Sequence, residues 1–268
     1  MLLGWWLDLF LIAKDYILSL SIVSDPFFYV VAVPAVLLLG ISKSGFGAGF
    51  GSMAVPLMAL AISVPQAAAI LMPVLFVIDI LGLHVFRKDF DKPLFKFLLP
   101  FGLLGVSIGL VLFKLMDAHT VSGIVGFFTL LFLTQRLIFP PSVDSIPPAK
   151  WLGALLTVTS GFTSFIAHAG GAPILAYLLP MRLSPLKFAA TLSFFFFFIN
   201  FAKWIPYGYL GLLDMKNMLT SLVLMPCIPI GVRIGLMWAK RIDPRLFYRL
   251  IHIGMFLTGT KLLWDGLH

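Results

Sequence analysis

The chain reads Ser44-Gly45-Phe46-Gly47-Ala48-Gly49-Phe50-Gly51 and then continues through apolar sequence to Pro56. A similar stretch occurs in the second part of the chain, where Ser160-Gly161-Phe162-Thr163 leads through His168-Ala169-Gly170-Gly171 to Pro173. Clustered glycine and proline break helices, and broken backbone at membrane depth is tolerated only where it is buried in protein or lines a cavity. A matched pair of such stretches predicts the binding site of a transporter.

The composition predicts a polytopic membrane protein. Of the 268 residues, 60% are apolar and only 11% are charged, whereas about a quarter of the residues of soluble domains carry charge. Several segments of about 18 to 22 residues have few or no charges and can cross a hydrocarbon core of about 30 Å as helices. Clear examples are residues 67–86, 97–113, 121–133, 188–205, 218–239 and 246–264.

The charged residues and the histidines exclude several function classes. The net charge of +8 does not indicate a nucleic-acid partner, because the basic residues lie in short connections where they orient a membrane protein and contact anionic lipid. The absence of glutamate excludes the H-E-x-x-H metalloprotease signature. No catalytic residue, metal site or cofactor is predicted, since the histidines lack ligand spacing. These histidines are His84, His119, His168, His252 and His268.

The sequence repeats itself internally, which divides the chain. At one constant spacing, Pro100 recurs as Pro226, Gly105 as Gly231 and Gly109 as Gly235. The pairs Gly105-x-x-x-Gly109 and Gly231-x-x-x-Gly235 are typical of close helix packing in membranes. We predict an N-terminal helix at residues 1–24, a first transmembrane repeat at 25–140, a linker at 141–149 and a second repeat at 150–268.

The distribution of basic residues predicts that the two repeats are inverted. In the first repeat the bases precede the Pro100 helix, whereas in the second they follow the matching helix, so equivalent loops face opposite sides of the membrane. The predicted fold is therefore an all-α polytopic membrane protein with two inverted repeats. Each repeat has a glycine-broken or re-entrant helix element plus three spanning helices, and an extra N-terminal helix precedes them. In the first repeat, the bases before the Pro100 helix are Arg87, Lys88, Lys92 and Lys96, and the base after it is Lys114. In the second repeat, the bases before the matching helix are Lys203 and Lys216, and those after it are Lys240, Arg241, Arg245 and Arg249.

The broken stretches predict an anion site. A helix that begins after each stretch, near Met53 and near Ala172, would direct its positive end and its free N–H groups at the cavity. The alternative is that the glycines serve only for helix crossing. The candidate substrate-binding residues of these stretches and of the following helix are Ser44, Gly45, Gly47, Gly49, Gly51, Ser160, Gly161, Thr163, Gly170, Gly171 and Thr191.

Lys43 lies directly before the first stretch, away from any evident loop charge. A buried ammonium is costly, so an intramembrane lysine indicates function, here the positive charge that an anion requires. The alternative is that Lys43 extends to the membrane interface. On the first interpretation, Lys43→Ala abolishes anion transport while the protein remains in the membrane.

Three further polar residues are candidates. Asp79 lies inside a long apolar helix and His168 inside the second stretch, so both are proton-coupling candidates. Asn200 aligns opposite Asp79 in the repeat, which predicts two polar positions on one cavity. An Asp79–Lys43 ion pair and a buried, fully hydrogen-bonded His168 are the competing interpretations. A group of small hydroxyl residues suits an oxyanion that needs several donors: Ser42, Ser44, Ser52, Ser160, Thr163, Ser164, Thr191 and Ser193. The run Phe194 to Phe198 is assigned no chemistry.

Over nearly its whole length, the chain resembles the sulfite exporter TauE/SafE family of membrane permeases. The resemblance rests on the glycine segments that end at Pro56 and Pro173, the step from Pro185 to Thr191, and the paired Gly-x-x-x-Gly helices. It implies a multi-pass protein of the plasma (inner) membrane that moves sulfite or organosulfonates.

The predicted function is a secondary transporter, an exporter of small sulfur-containing anions that works by alternating access around a midplane site. Its expected partners are the anionic substrate, the lipid bilayer and a coupling proton. The sequence carries no signal for an oligomeric state. A passive anion channel is the main alternative, and a membrane-embedded enzyme is a weaker one.

Overall fold

The computed structural model describes residues 22–42, 51–86, 89–138, 149–181, 183–238 and 244–268. Most of these residues are helical, and none of them forms a strand. The predicted N-terminal helix, apart from its last residues, and most of the first glycine stretch lie outside them. The first half comprises α1 (Pro26–Ile41), a 3-10 turn (Gly51–Met53), α2 (Ala54–Met58), α3 (Val64–Phe86), α4 (Lys92–Phe113) and α5 (Ala118–Ile138). The second half comprises α6 (Lys150–Ala167), α7 (Gly171–Leu178), a 3-10 turn (Leu179–Met181), α8 (Pro185–Tyr209), α9 (Met215–Leu224), α10 (Cys227–Trp238) and α11 (Pro244–Leu267).

The long apolar segments form helices as predicted. Within the described ranges, five helical segments are long and apolar enough to cross a membrane. The predicted spans 97–113, 121–133 and 188–205 lie within three of these, and 67–86 overlaps the segment Val64–Leu81 and lies within α3. The predicted span 246–264 lies within α11, which is not one of the five. The five segments are Val64–Leu81, Lys92–Phe113, Ala118–Gln135, Leu186–Tyr209 and Met215–Ile234.

The predicted span 218–239 overlaps the segment Met215–Ile234, but the helix is interrupted there between α9 and α10. Pro226 occupies the break, and a proline inside a helix removes one hydrogen bond and clashes with the carbonyl of the preceding turn. Its counterpart Pro100 lies within the unbroken helix α4. The same proline position is thus accommodated differently in the two halves.

In the second glycine stretch, the break between helices covers fewer residues than the sequence predicts. The predicted helix near Ala172 is present as α7, and a helix begins near Met53 as α2. However, residues 160–163 belong to α6, which continues to Ala167. Gly161 serves a helix crossing instead, since a Cβ there would lie 2.0 Å from the carbonyl oxygen of Gly102 on α4.

Glycines of the repeated helices provide the close crossings. A Cβ on Gly105 of α4 would lie 2.0 Å from the Val158 oxygen of α6. A Cβ on Gly231 of α10 would lie 2.6 Å from the Leu37 oxygen of α1. At both positions a side chain would collide with backbone, so the predicted packing role of Gly105 and Gly231 is confirmed.

The two halves interlock. The most extensive helix contacts join one half to the other: α5 with α11, α4 with α6, α1 with α10, and α3 with α8. Each half therefore packs chiefly against its counterpart rather than on itself. The broken elements lie among these contacts, with α2 against α1 and α7 against α6.

Candidate functional site

The ends of the two broken stretches meet at one cavity of about 50 Å³. This volume has room for a few water molecules or a small ion, because one water requires roughly 10–15 Å³ by this measure. The wall combines hydroxyl and amide groups with apolar side chains from both halves. The lining residues are Leu39, Ser42, Gly51, Ser52, Leu75, Ser164, His168, Gly171, Phe196 and Asn200.

His168 forms the break between α6 and α7. Its backbone is left-handed, with φ 52°, and it is the one described non-glycine residue with positive φ. Such a conformation costs roughly 1–2 kcal/mol for a residue with a Cβ and is retained where the surroundings require it. The surroundings of His168 require this conformation because they hold its imidazole on both sides. Nε2 lies 2.8 Å from the Ala68 oxygen, and Nδ1 lies 2.8 Å from Lys203 Nζ.

The partners of the imidazole determine its tautomer. A backbone carbonyl can only accept a hydrogen bond, so Nε2 carries the hydrogen that is donated to Ala68. Nδ1 is then the acceptor for an N–H of Lys203. His168 is thus a neutral imidazole that joins α3 to α8 while it lines the cavity.

Lys203 is a buried ammonium that lies directly behind the cavity wall. Its side chain is 0% exposed. Nζ lies 2.9 Å from the Ser164 oxygen, 3.1 Å from Ser164 Oγ and 2.8 Å from His168 Nδ1. An ammonium has three N–H donors, and these three acceptors engage all of them. The positive charge is one hydrogen bond away from the two cavity residues Ser164 and His168.

The assignment of Lys203 to a connection was wrong, because this residue lies inside α8. Two features of the sequence indicate that Lys203 lies inside a helix. Lys203 falls within the predicted span 188–205, and it follows Asn200 by one helical turn, so the two share a face. Without Lys203, only Lys216, in the first turn of α9, remains of the two bases predicted before that helix.

Lys203 determines the direction in which the Ser164 hydroxyl donates its hydrogen. Ser164 Oγ accepts from Nζ, so its own hydrogen remains available for another acceptor. Ser164 lines the cavity, where an anion could be that acceptor.

Residues of α8 also hold the last turn of α6. Lys203 donates to the Ser164 carbonyl, and the Tyr207 hydroxyl donates to the Phe165 oxygen at 2.6 Å. The final four carbonyls of a helix have no partner within it, and a cation near that end is favourable. The lysine and the tyrosine therefore stabilise a helix end that is buried inside the protein.

Tyr207→Phe is expected to destabilise the protein by about 1–3 kcal/mol, because the buried Phe165 carbonyl loses its donor. The measurement is thermal unfolding of purified protein in detergent. Tyr209→Phe is the matched control, since Tyr209 lies on the same helix and is 72% exposed. Equal unfolding temperatures for the two variants would contradict the assignment.

Asp79 and Asn200 face each other, as their alignment in the repeat predicts. Asn200 Nδ2 donates to Asp79 Oδ2. Asp79 is 1% exposed, and its carboxylate is close enough to Lys203 to interact with it electrostatically. The competing Asp79–Lys43 pair lies outside the described residues, because Lys43 does.

The other predicted site residues are distributed as follows. Ser160 donates to the Gly170 oxygen and Thr163 to the Thr159 oxygen, so both hydroxyls bond to backbone behind the cavity. Thr191 accepts from the Asp91 N–H and lies roughly 13 Å along α8 from Asn200. The structure brings Gly51, His168, Gly171 and Asn200 to the cavity, but not Gly161 or Thr191. Lys43, Ser44, Gly45, Gly47 and Gly49 lie outside the described residues.

The phenylalanine run, to which the sequence assigns no chemistry, contributes one apolar residue to the cavity wall. Phe196 lines the cavity, Phe195 is fully buried and Phe198 is partly exposed. Five consecutive residues on a helix point in all directions, and α8 has protein on several sides. The sequence gives no signal for which phenylalanine faces inward. The hydroxyls Ser42, Ser52 and Ser164 of the predicted group also lie at the cavity.

Comparison with known proteins gives one informative result. A family model described as Sulfite exporter TauE/SafE matches residues 32–262. The matched range includes every residue that lines the cavity, together with Asp79 and Lys203. No curated protein and no solved structure matches the chain.

Proposed function

Because this chain belongs to the sulfite exporter TauE/SafE family, we propose that it is a secondary transporter that carries small sulfur-containing anions, such as sulfite or organosulfonates, through the cavity. The family is one of membrane transporters, and the chain is a multi-pass membrane protein. Export is the proposed direction.

The observation that carries the proposal is the convergence of both broken stretches and a buried ammonium on one cavity. An oxyanion in a membrane interior needs several donors and a nearby positive charge. Ser42, Ser52, Ser164 and Asn200 can supply hydroxyl and amide donors. Lys203 supplies the charge through Ser164 and His168, so the anion need not contact the ammonium itself. The predicted binding residues 43–49 remain part of this proposal.

Alternating access of two inverted repeats is the proposed mechanism. The recurrence of the Gly105–Val158 crossing as Gly231–Leu37 supports a symmetric relation between the halves. The distribution of basic residues along the sequence supports their inversion. Since the halves interlock, the moving units would combine helices of both, for example α4 with α6 and α1 with α10.

Counterflow in proteoliposomes tests this function. Purified protein is loaded with sulfite, sulfate, thiosulfate, sulfoacetate or acetate in turn, with a cation as the negative control. Saturable flux and counterflow of a sulfur oxyanion or sulfonate are expected. Flux of the cation, or of none of the anions, would contradict the proposal. Linear currents without counterflow would instead identify a passive anion channel, and turnover of an anion in detergent would identify an enzyme.

A further inference from the structure

We propose that Phe196 and Leu75 are the two gates of the anion cavity. Phe196 closes the cavity toward the cytoplasm, and Leu75 closes it toward the opposite side of the membrane. In transport, each gate opens while the other stays closed. This inference rests on the proposed function, since it concerns the same cavity. It goes further by naming the side chains that the anion must pass and the side on which each of them acts.

The apolar and polar residues of the cavity wall occupy different levels along the helices. Phe196 precedes Asn200 by four residues on α8, and Leu75 precedes Asp79 by four residues on α3. Four residues advance about 6 Å along a helix and return to nearly the same face. Both apolar side chains line the cavity. They therefore lie one helical turn from the level of the Asp79–Asn200 hydrogen bond, the polar level.

The helices α3 and α8 run in opposite directions past the polar level. Phe76, three residues before it on α3, packs edge-on against Trp204, four residues after it on α8, with 5.4 Å between the ring centroids. The start of α8 correspondingly lies near the end of α3, since the N–H of Asp91 donates to Thr191 Oγ1 at 3.0 Å. A step back along α3 is therefore a step forward along α8.

Leu75 and Phe196 consequently lie on opposite sides of the polar level, roughly 12 Å apart along the helix axes. A hydrophobic constriction excludes water, and an ion can pass it only by losing its hydration. Each side chain is therefore a barrier to an anion held at the polar level, and its displacement opens the cavity on its own side. Matching positions of the two repeats thus supply one barrier for each side, as alternating access requires.

The basic residues identify the side on which each gate acts. Phe196 lies on the side of the polar level where α3 ends and α8 begins. Lys92 and Lys96 lie in the first turns of α4, which follows α3. Lys187 lies in the first turn of α8, where its Nζ is 3.6 Å from Asp91. Basic residues concentrate on the cytoplasmic side of membrane proteins, so Phe196 is the inner gate.

The outer gate, Leu75, lies on the side where α3 begins. A second cavity, of about 350 Å³, lies at that end, between the residues before α3, the start of α5 and the end of α11. It has room for an oxyanion with its water molecules, because one water requires roughly 10–15 Å³ by this measure. The chain passes from Ser52 at the anion cavity through α2 to Ala59 at the second cavity. The second cavity is therefore the outer approach to the site.

Thiol labelling in oriented membrane vesicles tests each gate. Cys227 is the only cysteine of the chain, so Cys227→Ser combined with Ser52→Cys leaves one thiol, at the cavity wall. The probe is a small methanethiosulfonate reagent that does not cross membranes. It is applied to the full-length protein in right-side-out vesicles, which expose the outer face, and in inside-out vesicles, which expose the inner face.

Removing a gate is expected to speed labelling of this thiol from one side only. Phe196→Ala is expected to raise the labelling rate in inside-out vesicles about tenfold or more, because an open state populated to about 10% or less becomes permanent. Leu75→Ala is expected to have the same effect in right-side-out vesicles. Phe198→Ala is the matched control and is expected to change neither rate, since Phe198 belongs to the same run and is exposed.

Acceleration from both faces, from the face opposite to the assigned one, or from neither face would overturn the proposal. If an alanine variant does not fold, the single thiol is placed at the gate itself. Phe196→Cys is then expected to react faster in inside-out vesicles, and Leu75→Cys faster in right-side-out vesicles. Equal rates from the two faces for either thiol would overturn the proposal.

The labelling result does not depend on which anion is transported, so the gates and the proposed function can fail separately. Counterflow of a sulfur anion by the wild type, together with labelling that neither gate variant changes, overturns the gates alone. Side-specific acceleration in a protein that shows no counterflow of any sulfur anion supports the gates and overturns the proposed substrate. Absence of both overturns both.

Discussion

Lys203→Met is expected to lower saturable anion flux about a hundredfold, which corresponds to roughly 3 kcal/mol of lost interaction with the anion. Methionine keeps most of the length of the side chain and removes its charge. The Ser164 hydroxyl then loses the donor that directs its hydrogen toward the cavity. Flux is measured in proteoliposomes and normalised to the amount of inserted protein.

The same substitution has a cost in stability that must be separated from its effect on transport. It leaves the buried Asp79 carboxylate without Lys203, and breaking a buried charge pair typically costs about 3–5 kcal/mol. Adding Asp79→Asn removes the carboxylate with which Lys203 interacts, so the double variant is expected to regain stability but not flux. Lys96→Met is the matched control, because Lys96 is exposed on α4. If Lys203→Met inserts normally and transports normally, Lys203 is not part of the anion site. Lys43→Ala would then be the remaining test of which residue supplies the positive charge for the anion.

Gly161→Ala is expected to cost roughly 3 kcal/mol of stability or more, because the added methyl group would overlap backbone. Its Cβ would lie 2.0 Å from the Gly102 oxygen, and no change of rotamer can move a carbonyl group. The helices α4 and α6 would have to separate where they cross. The measurement is the folded, monodisperse fraction after purification, together with the unfolding temperature.

The control for this prediction is another helical glycine. Gly208 lies near the end of α8 and has no atom within 4 Å of a built Cβ. Gly208→Ala should leave stability unchanged or raise it by up to about 1 kcal/mol, since alanine favours helix. If Gly161→Ala unfolds at the wild-type temperature, the crossing is looser than its geometry indicates.

Much of the helical architecture could be predicted, because a membrane interior requires every backbone hydrogen bond to be made within the protein. Long apolar segments therefore correspond to helices. The Asp79–Asn200 contact was also predictable, since these residues occupy matching places in two similar halves. The length of the helix break in the second glycine stretch could not be predicted. Glycine serves both to break a helix and to let two helices approach, and only the contact of Gly161 with Gly102 distinguishes the two uses.

The identity of the buried lysine depended on contacts between distant parts of the chain. Counting charges does not by itself distinguish a lysine inside a helix from one in a neighbouring connection, whereas the predicted span 188–205 and the spacing of Lys203 from Asn200 do indicate a helix. The partners of Lys203 are Ser164 and His168, which lie 39 and 35 residues before it. Only their arrangement around Nζ makes burial of the ammonium acceptable. The sequence therefore directed attention to Lys43, while Lys203 was counted among the loop charges.

The interlocked packing of the halves has a consequence for biosynthesis. The Val23 N–H before α1 bonds to Thr220 of α9 across 197 residues, which at ordinary rates of translation separates their synthesis by roughly ten to forty seconds. During that interval α4 lacks its partner until residues 150–167 have been made, and α1 cannot meet α10, which follows Thr220 in the chain. Such non-local contacts give the chain a high contact order. The sequence repeat is thus not a unit of folding, and a nascent chain stopped at the linker has its glycine-lined helices in the membrane before their partners exist.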